Sequence, residues 1–157
     1  MPLIVDGYNL LRAIQKHEQF ADMDEVELCR IITEYLGRIR DRGQVIFDGT
    51  GPPDKSRFGP YRNMEVYFVG MNTDADTVIE EKIQDNTAPK SLVVVSSDRR
   101  IRTAAKRRKA ISAGAEDFWM LMTKVLERDM PRPEPQEKRH GITEAEADRW
   151  LDLFDLD

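Results

Sequence analysis

Acidic side chains recur in this chain at the points where apolar runs stop. Asp6 follows Leu3-Ile4-Val5, Asp48 follows Val45-Ile46-Phe47, and Asp98 follows Leu92-Val93-Val94-Val95 and two serines. After the run that ends in Tyr67-Phe68-Val69-Gly70 comes Met71-Asn72-Thr73-Asp74-Ala75-Asp76. Glu80 stands four residues beyond Asp76, so on a helix the two lie one above the other, whereas Glu81 faces outward. Ionised carboxylates gathered in one place repel each other and hold protons more tightly unless a cation neutralises them. A hard divalent ion, magnesium or manganese, takes such oxygen donors together with waters and phosphate oxygens. The chemistry implied is hydrolysis of a phosphodiester by water that the cation activates.

Other chemistries lack their residues. Cys29 is the single cysteine, which excludes an intrachain disulfide and a cysteine zinc site, and its neighbours Leu28, Ile31 and Ile32 mark it as a core residue. His17 and His140 are too few and too far apart in sequence for a histidine metal cluster or a Ser-His-Asp triad. The formal net charge of -5 conceals a segregation, because residues 99–109 carry seven Lys or Arg and no acid. On a helix Arg99, Arg102, Lys106 and Lys109 would form one stripe beginning beside Asp98. Such a stripe attracts a phosphate backbone without reading its sequence, so a polyanion is the expected partner.

These residues need a frame. Strand-length apolar runs occur at 3–5, 44–47, 65–69 and 92–95, and a weaker one at 110–112. Between the first two, Leu28, Ile31, Ile32, Tyr35, Leu36 and Ile39 repeat at helical spacing, with Asp24 as the cap and Gly43 as the stop. Helices are also predicted over 74–83, with Ala75, Val78, Ile79 and Ile83 on one face, over 99–109, and over 116–127. Alternating strands and helices predict an α/β fold of three layers, a mainly parallel sheet of about five strands covered on both faces. In such sheets ligands bind beyond the carboxyl ends of the strands, which is where the acids stand. The stretch 48–64 is rich in Gly and Pro and is expected to be an irregular surface loop carrying Lys55, Arg57 and Arg62.

The folded body is expected to span residues 1–128. Residues 129–140 have the composition of a Pro-rich charged linker, and 141–157 that of a small acidic amphipathic helix, with Ala147, Trp150, Leu151 and Phe154 on one side. That acidic tail is expected to lie near the basic helix and compete with the polyanion bound there. No run approaches the roughly 20 apolar residues of a membrane helix, and the start has no secretory pattern, so a cytoplasmic location is expected.

Four pieces taken together, "VDGYNLL", "VIFDGTG", "DADTVIEEKI" and "VVVSSDRRIR", resemble the YacP-like NYN domains of the PIN-like nuclease superfamily, over about residues 3 to 120. The resemblance implies a PIN-like, Rossmann-like three-layer fold, a divalent-metal site of acidic residues and endoribonuclease activity in bacterial RNA turnover. It places Asp6, Asp76 and Asp98 where such domains carry metal-binding carboxylates. Asn9 falls on the Asn of the "DGYN" signature, with an orienting role through a hydrogen bond to a ligand carboxylate or phosphate. Asp48 and Glu80 stand as further metal or outer-shell acids. An assembly such as the ribosome would suit an enzyme of this kind as a partner, although no residue here selects one.

Plainer roles compete for the same residues. Asp74 is read as the cap of the third helix, and Asp98 or Ser97 as the cap of the fourth. Asp48 heads a good turn sequence, and Asn9 would serve as a helix cap near Leu10. An aspartyl phosphatase needs a second Asp two residues after the first, where this chain has Tyr8. A receiver-like phospho-acceptor needs paired acids at the first strand and a lone Lys after a late one, and neither is present. G-x-G-x-x-G is missing, and "GTGPP" lacks the Lys-Ser or Lys-Thr of a P-loop. The remaining rival is an RNA-binding or scaffold module that keeps the fold without the chemistry.

Overall fold

The computed structural model describes residues 2–128. Five strands, β1 (Leu3–Asp6), β2 (Gly43–Phe47), β3 (Met64–Phe68), β4 (Val93–Val95) and β5 (Ile111–Ala113), form one sheet in the order β3-β2-β1-β4-β5. Every pairing is parallel. The chain winds outward from β1 through β2 to β3, then crosses back to β4 and on to β5. The strand order therefore reverses between β1 and β4, and the crevice beyond their carboxyl ends is the natural ligand site of this architecture.

Alternation along the strands sorts the core into two layers. Leu3, Val5, Val45, Phe47, Val93 and Val95 pack with α1 (Gly7–Gln15), α2 (Glu25–Ile39) and α5 (Ala115–Arg128). Ile4, Ile46 and Val94 face the other way, against α3 (Ala75–Asp85) and α4 (Arg99–Arg107). Cys29 is buried in the first layer, where loss of solvation pushes its thiol up to about 12, so it packs as an inert apolar group. His17 binds Glu116 of α5 at 2.6 Å, which ties the end of α1 to the last helix.

Helix ends follow local chemistry. Asp24 caps α2 by accepting from the Glu27 amide, and Asp74 caps α3 by accepting from the Thr77 amide. The expected stop at Gly43 is displaced: Arg40 ends α2 in the left-handed region, with φ 58°, and Gly43 opens β2. The chain passes close to its neighbours at 43, where a Cβ would lie 3.0 Å from Leu36 Cδ1 and 3.2 Å from Leu3 Cβ, so glycine fits there without displacing them. The fourth helix is shorter than its composition suggests, because Lys109 turns to φ 64° after Arg108. Residues 48–63 form the expected irregular loop, broken by one 3-10 turn at Ser56–Phe58, with Lys55, Arg57 and Arg62 exposed. Among the described residues no helix is long and apolar enough to cross a membrane. The predicted linker 129–140 and acidic helix 141–157 lie outside the described residues.

Candidate active site

Asp6 is the last residue of β1 and shares the parity of Ile4, so it emerges on the layer covered by α3 and α4. Only 7% of it is exposed. Ser96, one residue past β4 and in step with Val94, donates its hydroxyl to Asp6 Oδ2 at 2.9 Å. That bond favours the carboxylate, but burial outweighs it, and Asp76, Asp48 and Asp98 add repulsion. The Asp6 carboxyl is pushed up to about 6. The next residue lets the chain exit tightly: a Cβ on Gly7 would sit 2.5 Å from two ring carbons of the buried Phe47.

Each neighbouring acid is held by the element that follows its strand. Asp48, past the end of β2, accepts the Ala75 amide on Oδ1 at 2.7 Å and so fixes the start of α3. Asp76 stands on the first turn of α3, where burial and then Asp98 raise its pKa and Arg100 opposes them. Because Asp74 rather than Thr73 caps α3, Asp76 is not consumed in a capping box. Asp98 caps α4, accepting the amides of Arg100 and Ile101, both on Oδ1, which leaves Oδ2 outside the cap. Asp6, Asp48, Asp76 and Asp98 are thus brought together around the crevice where the sheet order reverses.

Other predicted residues take different places. Asn9 lies within α1 rather than capping it, and its side-chain oxygen accepts the Ser97 amide at 2.8 Å. It orients the β4–α4 loop that carries Asp98, and not a carboxylate directly. Ser97 Oγ in turn accepts the Ala115 amide at the start of α5. Glu80 is removed from the acid group, since Arg100 binds its Oε1 at 2.7 Å and holds its carboxyl below the usual range. The stripe Arg99, Arg102, Lys106 and Lys109 does not form as one line. Lys109 lies beyond α4, and the Arg102 guanidinium turns toward Gly114, where a Cβ would meet its Nη1 at 3.1 Å. Ser96 and Arg100 are the residues that sequence reasoning passed over, the first signalled by its parity with Val94 and the second only by the fold, while Ser97, read as a rival cap of the fourth helix, holds the start of α5 instead.

The donor set suits a hard cation. All four acids offer oxygen, and the buried Asp6 carries repulsion that a positive ion would relieve. Among the described residues no three His, Cys, Asp or Glu side chains are clustered tightly enough to close around an ion on their own.

The comparisons with known proteins agree with this architecture. Two crystal structures of Rae1 (YacP) from Bacillus subtilis are similar. One superposes with a TM-score of 0.65 at 25% identity, covering 82% of this chain and 76% of that one. A tryptophan-to-leucine mutant of the same protein gives a TM-score of 0.61 at 24% identity, with 81% and 77% covered. No curated protein matches the chain. The YacP-like NYN domain model matches residues 3–152, further than the stretch that carries the resemblance in sequence. With that match across nearly its whole length, this five-stranded parallel protein belongs to the YacP-like NYN domain family, which is a nuclease-type family.

Proposed function

We propose that the protein is a cytoplasmic, divalent-metal-dependent endoribonuclease that hydrolyses RNA phosphodiester bonds in RNA processing or decay. The observation that carries this reading is the buried Asp6, pushed up to about 6 by desolvation and then by repulsion from Asp76, Asp48 and Asp98. Acids with perturbed pKa values at the crevice of a doubly wound sheet mark a functional site.

Asp6, Asp76 and Asp98 would hold the cation, with Asp48 beside them. When bound, magnesium or manganese lowers the pKa of water and stabilises charge on the attacking and leaving oxygens. The chain's own contribution is placement. Ser96 fixes the orientation of Asp6 through its hydroxyl. Asn9 holds the Ser97 amide and with it the loop leading to Asp98. Asp48 anchors the α3 terminus from which Asp76 projects. The basic α4, with five Arg or Lys and no acid, would draw the polyanion to the crevice.

The test is incubation with end-labelled single-stranded and structured RNAs, with and without Mg²⁺ or Mn²⁺, beside Asp6→Asn and Asp98→Asn. Asparagine is as good a helix cap as aspartate, so the second variant keeps α4 and removes only charge. Cleavage should require metal and both acids. Cleavage that survives both substitutions would sink the assignment, and binding without cleavage would favour a non-catalytic RNA-binding module.

A further inference from the structure

Arg100 belongs to none of the expected roles, yet it bridges two helices beside the acid cluster. From the first turn of α4 its Nη2 reaches α3 and donates to Glu80 Oε1 at 2.7 Å and to Thr77 Oγ1 at 3.2 Å. It lies close enough to Asp76 and Asp74 to favour their ionised forms. Beyond this bridge runs a groove of about 390 Å³ lined by Glu80, Arg99, Arg100, Thr103, Ala104 and Arg107. Three of the six are arginines, and Glu80 is the only acid among them. Glu80 stands one helical turn past Asp76, and Asp74 and Asp76 both act on Arg100, so the groove adjoins the carboxylates.

The lining is extended rather than a single point. Arg100 and Arg107 are separated by seven residues of helix, about 10 Å along its axis. Arginine presents its donors as a planar fork that matches two oxygens of a phosphate. In this structure one nitrogen of that fork, Nη2, is engaged by the Glu80 carboxylate. The Glu80–Arg100 pair is half exposed, with side chains 34% and 47% accessible, so it is a weak, exchangeable contact.

We propose that the α3–α4 groove is a phosphate subsite for a single RNA strand, holding a phosphodiester that flanks the scissile one. Glu80 is the internal stand-in that occupies Arg100 until RNA displaces it. The identity of the polyanion rests on the nuclease reading, while the groove and its latch are observations of the fold.

The probe is a fluorescently labelled single-stranded oligoribonucleotide, titrated with the full chain in EDTA between about 50 and 200 mM salt, where no metal-dependent cutting occurs. Arg100→Ala and Arg107→Ala should each weaken binding severalfold, and each should flatten the log-log salt slope by about 0.7. Arg107→Ala leaves the Glu80–Arg100 bridge intact, so its loss reports the groove and not the helix packing. Glu80→Gln should tighten binding severalfold by releasing Arg100. Wild-type affinity and slope in both arginine variants would overturn the subsite, as would a Glu80→Gln chain that binds no better. Competition by inorganic phosphate as strong as by unlabelled oligonucleotide would also overturn it, in favour of a small-anion site. The two readings fail separately. A chain that binds through the groove but never cuts loses the nuclease assignment alone. One that cuts in an Asp6-dependent way while ignoring Arg100, Arg107 and Glu80 loses the groove alone.

Discussion

A buried acid at neutral pH costs a fold stability, and Asp6 shows where that cost falls. Its carboxyl ordinarily titrates at 3.8 and here at about 6, so the native state holds the proton more tightly than the unfolded chain. The resulting stabilisation is complete below about pH 4 and is lost as pH rises through 6, about 3 kcal/mol in all without metal. Asp6→Asn has no such dependence. The metal-free wild type and Asp6→Asn should melt alike near pH 4 and diverge toward pH 7, where the variant is the more stable. Added Mg²⁺ should then raise the wild-type Tm more than the variant's. Parallel melting curves across this range would show that Asp6 carries no strain. The sequence marked Asp6 by its place after an apolar run, but its burial and its bond from Ser96 depend on β4 lying beside β1.

At the scale of elements, the acids that end strands also fasten the helices that follow. Asp48 joins β2 to α3 by accepting the Ala75 amide, a contact across 27 residues of chain. Asp48→Ala leaves that half-buried amide without its partner and should cost about 1 kcal/mol in urea unfolding, while Asp48→Asn, which keeps an acceptor, should lose far less. Equal losses would mean that charge, and not the hydrogen bond, holds the helix start. Caps were legible where the polar residue and the amide it binds are neighbours, as at Asp24 and Asp74. Asp48 and Asn9 bind amides of distant elements, so from sequence a turn and a helix cap competed with their site roles, and the amides they hold were not legible. The same limit misplaced the basic stripe. Spacing ranks residues by face, but which face meets α3 and where the helix stops were set by packing and by Lys109 at φ 64°.

For the whole molecule, the charge has a location. Residues 141–157 carry six acids and one arginine, a net of -5, which equals the net charge of the entire chain. Everything before them is formally neutral, with α4 as a basic element carrying no acid. An acidic segment tethered to a basic surface competes with a polyanion in proportion to its effective concentration, and salt screens the effect. Replacing Glu144, Glu146 and Asp148 by their amides should therefore tighten RNA binding at low salt and change little at high salt. Unchanged low-salt affinity would remove the tail as a competitor.

The sequence by itself determined the class of fold, five strands alternating with helices, because hydrophobic periodicity and strand-end punctuation are local properties of the chain. It also determined which acids stand at strand ends, and through four short motifs it pointed to the family. Only the tertiary structure decided the strand order, which places the reversal between β1 and β4 and so makes neighbours of Asp6 and Asp98. It also divided the acids into those that share the crevice and Glu80, which Arg100 takes away. Both decisions depend on contacts between residues 20 to 90 positions apart. No local pattern encodes such distances, and burial, repulsion and ion pairing arise only once the sheet has brought the ends together.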